Sequence, residues 1–205
     1  MNSLSCRLLL FVLSFAAVAH AADFPGSSAI LLGLDSVRSE LKVTKAQSAS
    51  LDQIRANYRA KSRMLVADLP ADSSARRVAA KKLKSLTHRA DVQAEAVLSA
   101  SQERRFREIQ YQLHKGSALV SPTVQKTLAL SDKQIRDIQS IKSQTDASAQ
   151  SLTALYEKGE NSHSERLSLL RQERAVESKR LLAVLTPTQA AAFEELKGKP
   201  IPALR

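Results

Sequence analysis

Val37 to Ile54 reads VRSELKVTKAQSASLDQI, and Val124 to Ile141 reads VQKTLALSDKQIRDIQSI. The two stretches lie 87 residues apart and align without a gap: Val37/Val124, Leu41/Leu128, Gln47/Gln134 and Ile54/Ile141 are identical, while Thr44/Ser131 and Leu51/Ile138 are close substitutes. The register continues through Leu65/Leu152, Leu83/Leu170, Leu98/Leu185, Gln102/Gln189, Phe106/Phe193 and Glu108/Glu195. One fixed period over most of a chain is the mark of a duplicated unit. The reading is two tandem copies, residues 22–116 and 117–205.

Inside each copy the apolar spacing is helical. Leu51, Ile54, Tyr58 and Leu65 recur at three, four and seven residues, answered by Leu83, Leu86, Ala90, Ala94 and Val97. Leu69 to Ser74 reads as the turn between them, which predicts a helical hairpin with arms near 44–67 and 75–97, each roughly 30 Å long at 1.5 Å per residue. In the second copy Ile138, Ile141, Leu152 and Tyr156 are expected to face Leu167, Leu170, Leu181 and Val184 across a turn from Gly159 to Ser164, with Gly159 as a C-cap. No alternating Val, Ile or Thr run competes, so the fold class is all-α: two tandem long hairpins flanked by short helices. The seams that remain, Val37, Leu41, Phe106 and Ile109 against Val124, Leu128, Phe193 and Leu196, are expected to pack the copies together through the Leu113 to Pro122 connector.

Four short motifs punctuate the hairpins: Thr44-x-x-Gln47, Ser99-x-x-Gln102, Ser131-x-x-Gln134 and Thr186-x-x-Gln189, each after Val43, Leu98, Leu130 or Leu185. A hydroxyl at N-cap accepts from the amide three residues on, and the Gln there reaches back to the N-cap amide. Each motif therefore predicts a helix start. Pro187 suits the first helical position, where its missing N–H has no partner to lose. Leu130 and Ile135 are spaced to staple the third start.

The front of the chain reads as an address. Arg7, an apolar run from Leu8 to Val18 and the small-x-small Ala19-His20-Ala21 predict a cleaved secretory signal over residues 1–21, and hence a periplasmic or secreted protein. The apolar run is too short to span a membrane. Cleavage would remove Cys6, the one cysteine, leaving about 184 residues without a disulfide, a thiolate or a Cys metal ligand. Two Met, no Trp and 4% aromatic residues mean that Leu, Ile, Val and Ala must form the core in thin helical layers.

The net charge of +11 would fall to +10 with the signal, and the first copy carries 17 basic and 10 acidic residues against 13 and 10 in the second. A basic surface favours acidic partners. Its densest patch is Arg76, Arg77, Lys81, Lys82, Lys84 and Arg89 on the second arm of the first hairpin, matched in the second copy by the alternating charges Glu165, Arg166, Arg171, Glu173, Arg174 and Glu177. Without interleaved aromatic residues for base stacking, nucleic acid is not the expected partner. The patch is the candidate client-binding site, for unfolded or acidic polypeptide.

No catalytic constellation accompanies the repeat. His88, His114 and His163 stand far apart, outside any spacing that sets two ligands on one helix face, and read as solvated surface residues. Phosphate-cradling Gly-rich loops and Gly-x-Ser-x-Gly are absent, and Glu194 and Glu195 read as solvated carboxylates on the terminal helix. The expectation is no enzyme activity, no catalytic residues, no cofactor and no metal.

The capping motifs carry a family resemblance. A Leu-(Thr/Ser)-x-x-Gln motif used twice around a helical hairpin resembles the LTxxQ superfamily of Spy and CpxP periplasmic proteins, best in LTPTQAAAFEEL at Leu185 to Leu196 and next in LALSDKQIRDIQSI at Leu128 to Ile141. The hairpin is shorter than in Spy and the unit is duplicated, and REIQYQLHKGSALVSPTVQKTLALSDKQ resembles duplicated members of planctomycete-type bacteria. The resemblance implies an ATP-independent chaperone that holds unfolded clients on a basic, partly apolar helical surface, or a stress-response adaptor docking on a membrane sensor kinase. A structural envelope protein is the remaining alternative. Self-association into a homodimer stays open.

Overall fold

A computed structural model describes residues 28–67, 73–157 and 162–201. The expected signal segment, the turn residues 69–72, the Tyr156 side chain and the Gly159 cap lie outside them. Among the described residues the chain is helical throughout, with no strand. Two short helices, α1 (Ser28–Leu31) and α2 (Asp35–Glu40), lead into α3 (Lys45–Val66) and α4 (Ser73–Glu95), which pack side by side. Helix α5 (Ala100–His114) follows, then a 3-10 segment (Lys115–Val120) and α6 (Pro122–Thr127). Helices α7 (Asp132–Glu157) and α8 (His163–Leu182) form the second packed pair, and α9 (Pro187–Leu196) closes the chain.

The helix starts have a common chemistry. Thr44 Oγ1 accepts from the Gln47 amide at 3.2 Å while Gln47 Oε1 accepts from the Thr44 amide at 3.0 Å. Ser99 with Gln102, Ser131 with Gln134 and Thr186 with Gln189 make the same two bonds, so two orphan amides are satisfied at each of α3, α5, α7 and α9. Ser162 with Glu165 caps α8 in the same way, and Ser121 caps α6 ahead of Pro122.

Positions 87 residues apart repeat one another's backbone geometry. After α2, Lys42 takes φ 52° and after α6, Ala129 takes φ 47°. Each is the left-handed residue of a Schellman ending, closed by Val43 N–H on Arg38 O and by Leu130 N–H on Gln125 O. Arg38 Nε donates to Leu32 O at 2.6 Å, and Gln125 Nε2 to Leu119 O at 2.9 Å.

The apolar residues sort into two cores. Leu32, Val37, Leu41, Leu51, Ala94, Phe106 and Ile109 form one, and Leu119, Val124, Leu128, Ile138, Leu181 and Phe193 the other. The expectation that Val37, Leu41, Phe106 and Ile109 would face Val124, Leu128, Phe193 and Leu196 is therefore corrected: each set packs within its own half, with Leu196 partly buried at the edge of the second core. The reason is the pair of short segments, α1–α2 and the 3-10 segment with α6, which close over their own helices. Burying an aromatic such as Phe106 or Phe193, each 1% exposed, contributes about 2–3 kcal/mol.

What crosses between halves is smaller. Ile201, from the far end of the chain, enters the first core, and Tyr111 of α5 enters the second. The backbone beyond α9 is pinned to α5: Arg105 donates to Lys199 O at 2.6 Å, Gln112 Nε2 to Lys199 O at 2.8 Å, and Ile201 N–H to Gln112 Oε1 at 3.1 Å. The connector is accordingly part of the interior, with Ala118 and Leu119 fully buried. Away from the cores the long helices carry few buried side chains. Leu167, expected to face α7, is 40% exposed.

Candidate functional site

The far part of the α3/α4 pair is where apolar surface and cationic charge meet. Lys61, Met64 and Leu65 of α3 and Lys82, Leu86 and Arg89 of α4 line an open cleft of about 510 Å³. On α4 the residues 82, 86 and 89 follow helical spacing, so they share one face. Met64 is 80% exposed, an unusual placement for a flexible, polarisable side chain suited to adaptable apolar contact. Val66 and Val78 are exposed nearby in sequence on the two helices. Lys61, Lys82 and Arg89 have no ion-pair partner among the described residues.

Of the six basic residues singled out from the sequence, Lys82 and Arg89 line this cleft. Arg76, Arg77, Lys81 and Lys84 are exposed on α4 outside it, with Arg77, Lys81 and Lys84 at spacings of four and three on a neighbouring stripe. The sequence reading missed the α3 wall, including Met64 and the basic residues Arg59, Lys61 and Arg63. A signal was present: residues 53–90 contain ten basic residues and two acidic ones, Asp68 and Asp72, both outside the described residues. The matching span 140–177 has five basic and six acidic. At the cleft positions themselves, Lys61, Met64, Lys82 and Arg89 become Ser148, Ser151, Leu169 and Val176. The two halves share a frame but not this surface.

Polar chemistry elsewhere serves the frame. Gln47 Nε2 donates to Val97 O at 2.9 Å and to Gln102 Oε1 at 2.7 Å; Gln134 Nε2 donates to Val184 O at 3.0 Å and to Gln189 Oε1 at 2.6 Å. The motif glutamines thus tie α3 to α5 and α7 to α9 as well as capping them. Ser28, Asp91, Glu95 and Gln110 form a polar cluster beneath α1: Ser28 Oγ donates to Glu95 Oε1 at 2.5 Å and accepts from Gln110 Nε2 at 2.9 Å, and Asp91 Oδ1 accepts from the Ala29 amide at 2.9 Å. Burial holds the Glu95 carboxyl above its ordinary value, opposed by the Ser28 hydroxyl and reinforced by Asp91.

The histidines are not alike. His88 and His163 are exposed, whereas His114 is half-buried, which corrects its reading as a solvated surface residue. Burial and the charge of Arg174 hold its imidazole below the usual range. Among the described residues no group of three or more His, Cys, Asp or Glu is placed to hold a metal ion, and no helix is long and apolar enough to cross a membrane. Glu194 and Glu195 are exposed on α9.

Comparison with protein-family models, with curated proteins and with solved structures returns no match.

Proposed function

We propose that the chain is an exported, ATP-independent chaperone-like protein of the LTxxQ type, built from two copies of one helical-hairpin unit, that holds unfolded or acidic polypeptides on the α3/α4 surface of its first copy. One observation carries the reading: an apolar cleft with Met64 laid open and Lys61, Lys82 and Arg89 around it, in a stretch almost devoid of acid. Such a surface suits partners that are extended, acidic and heterogeneous, since charge draws them in and a flexible thioether adapts to what arrives.

The experiment is suppression of aggregation. The full chain, incubated with two unrelated unfolding proteins, should slow their light scattering at low salt and do so less as salt rises, because exposed charge attraction is screened over about 8 Å at physiological ionic strength. Lack of protection for either client at low salt would reject the reading. A regulatory module docking on a membrane stress sensor is the second reading, and the asymmetry favours it: Lys61, Met64, Lys82 and Arg89 are replaced by Ser148, Ser151, Leu169 and Val176 in the second half, and a surface present once suits a single partner. Tight binding to one partner without general protection would move that reading first. A purely structural envelope role would show neither.

A further inference from the structure

The polar cluster beneath α1 has a counterpart 87 residues on, and it has been rebuilt. Ser28, Asp91, Glu95 and Gln110 correspond to Lys115, Ser178, Leu182 and Lys197. One interaction survives in kind: Asp91 Oδ1 accepts from Ala29 N–H, and Ser178 Oγ accepts from Gly116 N–H at 3.0 Å. The rest is inverted. Carboxylates have given way to a hydroxyl and an isobutyl group, and the amide and hydroxyl to ammonium groups.

The consequence is space with a polarity. A cavity of about 710 Å³ opens between the end of α5, α8 and the backbone after α9, with Leu182, Phe193 and Ile201 on its apolar wall. A second, of about 300 Å³, shares Leu113, Lys115, Ala175 and Ser178 with the first and adds His114, Arg171 and Arg174. Arg171, Arg174, Ala175, Ser178 and Leu182 follow helical spacing on one face of α8, so the two cavities adjoin along that face, the smaller one the more cationic. Their size is that of small-molecule sites.

At the cationic end one buried carboxylate, Glu177, accepts from the lining Ser117 at 3.3 Å and forms no ion pair among the described residues. Glu194, the one carboxylate lining either cavity, is ion-paired with Lys197 at 2.5 Å. Lys115, Arg171 and Arg174 have no carboxylate partner among the described residues. His114, half-buried beside Arg174, has its imidazole held below the usual range first by burial and then by the Arg174 charge. An anion with an apolar tail satisfies both ends at once, its tail covering Leu113, Ala175, Leu182 and Pro200, the lining residues that the cores leave accessible, whereas Phe193 and Ile201 are already buried in them.

We propose that this groove binds a single-chain anionic amphiphile, its acyl chain along Leu113, Ala175, Leu182 and Pro200 and its carboxylate or phosphate head held by Lys115, Arg171 and Arg174. The site is separate from the α3/α4 cleft and stands or falls without it.

The test is a titration of the full chain with cis-parinaric acid, a fluorescent long-chain carboxylate that brightens on leaving water. Saturable binding of one molecule per chain is expected, displaced by a lysophospholipid with an anionic head and not by inorganic phosphate. Arg171→Glu with Arg174→Glu should weaken binding at least ten-fold. Ala175→Trp should abolish it by filling the groove from an exposed position, with circular dichroism confirming that the helices remain. Leu182→Glu, which restores the residue of the first half, should abolish it too. Lys81→Glu with Lys82→Glu should leave the affinity within two-fold. Absence of saturable binding, retention in Ala175→Trp, or loss in the Lys81/Lys82 variant alone would overturn the proposal, and displacement by inorganic phosphate would reduce the site to one for simple anions.

Discussion

Gln47 and Gln102 hold one another by both ends of their amides, Nε2 to Oε1 at 2.7 Å in one direction and 3.1 Å in the other. Gln134 and Gln189 repeat the pair at 2.6 and 3.3 Å. Each glutamine also serves its own N-cap, and Gln102 and Gln189 reach the carbonyls of Leu41 and Leu128. A short motif that starts a helix thereby also fixes where that helix sits.

The motif glutamines should therefore matter more than the hydroxyls they cap. Thr44→Ala should lower stability by about 0.5–2 kcal/mol, the usual effect of losing an N-cap. Gln47→Ala loses the cap acceptor, both bonds to the Gln102 amide and the bond to the Val97 carbonyl, four bonds at roughly 1 kcal/mol each. Urea unfolding of the two variants checks the order, and a smaller loss for Gln47→Ala than for Thr44→Ala would contradict it. Gln134 and Thr186 should behave likewise.

Lys42 and Ala129 occupy left-handed backbone that favours glycine. Ala129→Gly removes a steric penalty of about 1–2 kcal/mol and returns part of it through the freer unfolded chain. A net gain near 0.5–1 kcal/mol is expected, visible as a raised melting temperature. Unchanged or lowered melting in both Ala129→Gly and Lys42→Gly would show that the two Schellman endings carry no strain.

Helix starts were legible because their chemistry is local: α3, α5, α7 and α9 begin directly after Thr44, Ser99, Ser131 and Thr186. The Ser162 and Ser121 caps obey the same rule inside stretches whose sequence reads as turn and connector. Less local features were out of reach. The second function of Gln47 depends on a carbonyl 50 residues away, and the packing of the halves depends on Ile201 crossing to a core whose other members end at Ile109. Period alone shows which face is apolar, not which neighbour covers it. The α3 wall of the cleft escaped because a charge cluster draws attention to the helix that bears it, whereas a cleft needs two.

Ile201 makes the second half a structural partner of the first. Ile201→Ala should cost about 2–4 kcal/mol if the site cannot collapse around the loss. Hydrogen exchange should then quicken around Val37 and Phe106 more than around Val124 and Phe193. Equal loosening of both cores, or of neither, would mean that Ile201 is not part of the first core in solution.

Glu95 gives the stability a pH dependence. Its folded carboxyl sits above the ordinary value of 4.5, so the folded state holds the proton more tightly than the unfolded chain. That contribution is fully present below about pH 4.5 and is lost as pH rises through the folded value. Glu95→Gln keeps an acceptor for Ser28 without the charge, and should be more stable than the parent at pH 7, with the difference shrinking toward pH 4. A pH-independent difference between the two proteins would reject the burial of this carboxylate.

The α3/α4 cleft separates capture from retention. Lys61, Lys82 and Arg89 surround it and act at a distance, whereas Met64 and Leu86 act on contact. Reversing Arg76, Arg77, Lys81, Lys82 and Lys84 to Glu should slow client capture several-fold at low salt with helicity nearly intact, since these side chains are exposed. Met64→Ser, also at an exposed position, should leave the capture rate unchanged and shorten the lifetime of the complex, because the lost contact is apolar and short-ranged. Stopped-flow association and dissociation with one fluorescent unfolded client measure both. A Met64→Ser chain that captures slowly, or a charge-reversed chain whose capture rate and salt dependence match the parent's, would show that this cleft is not where clients are held.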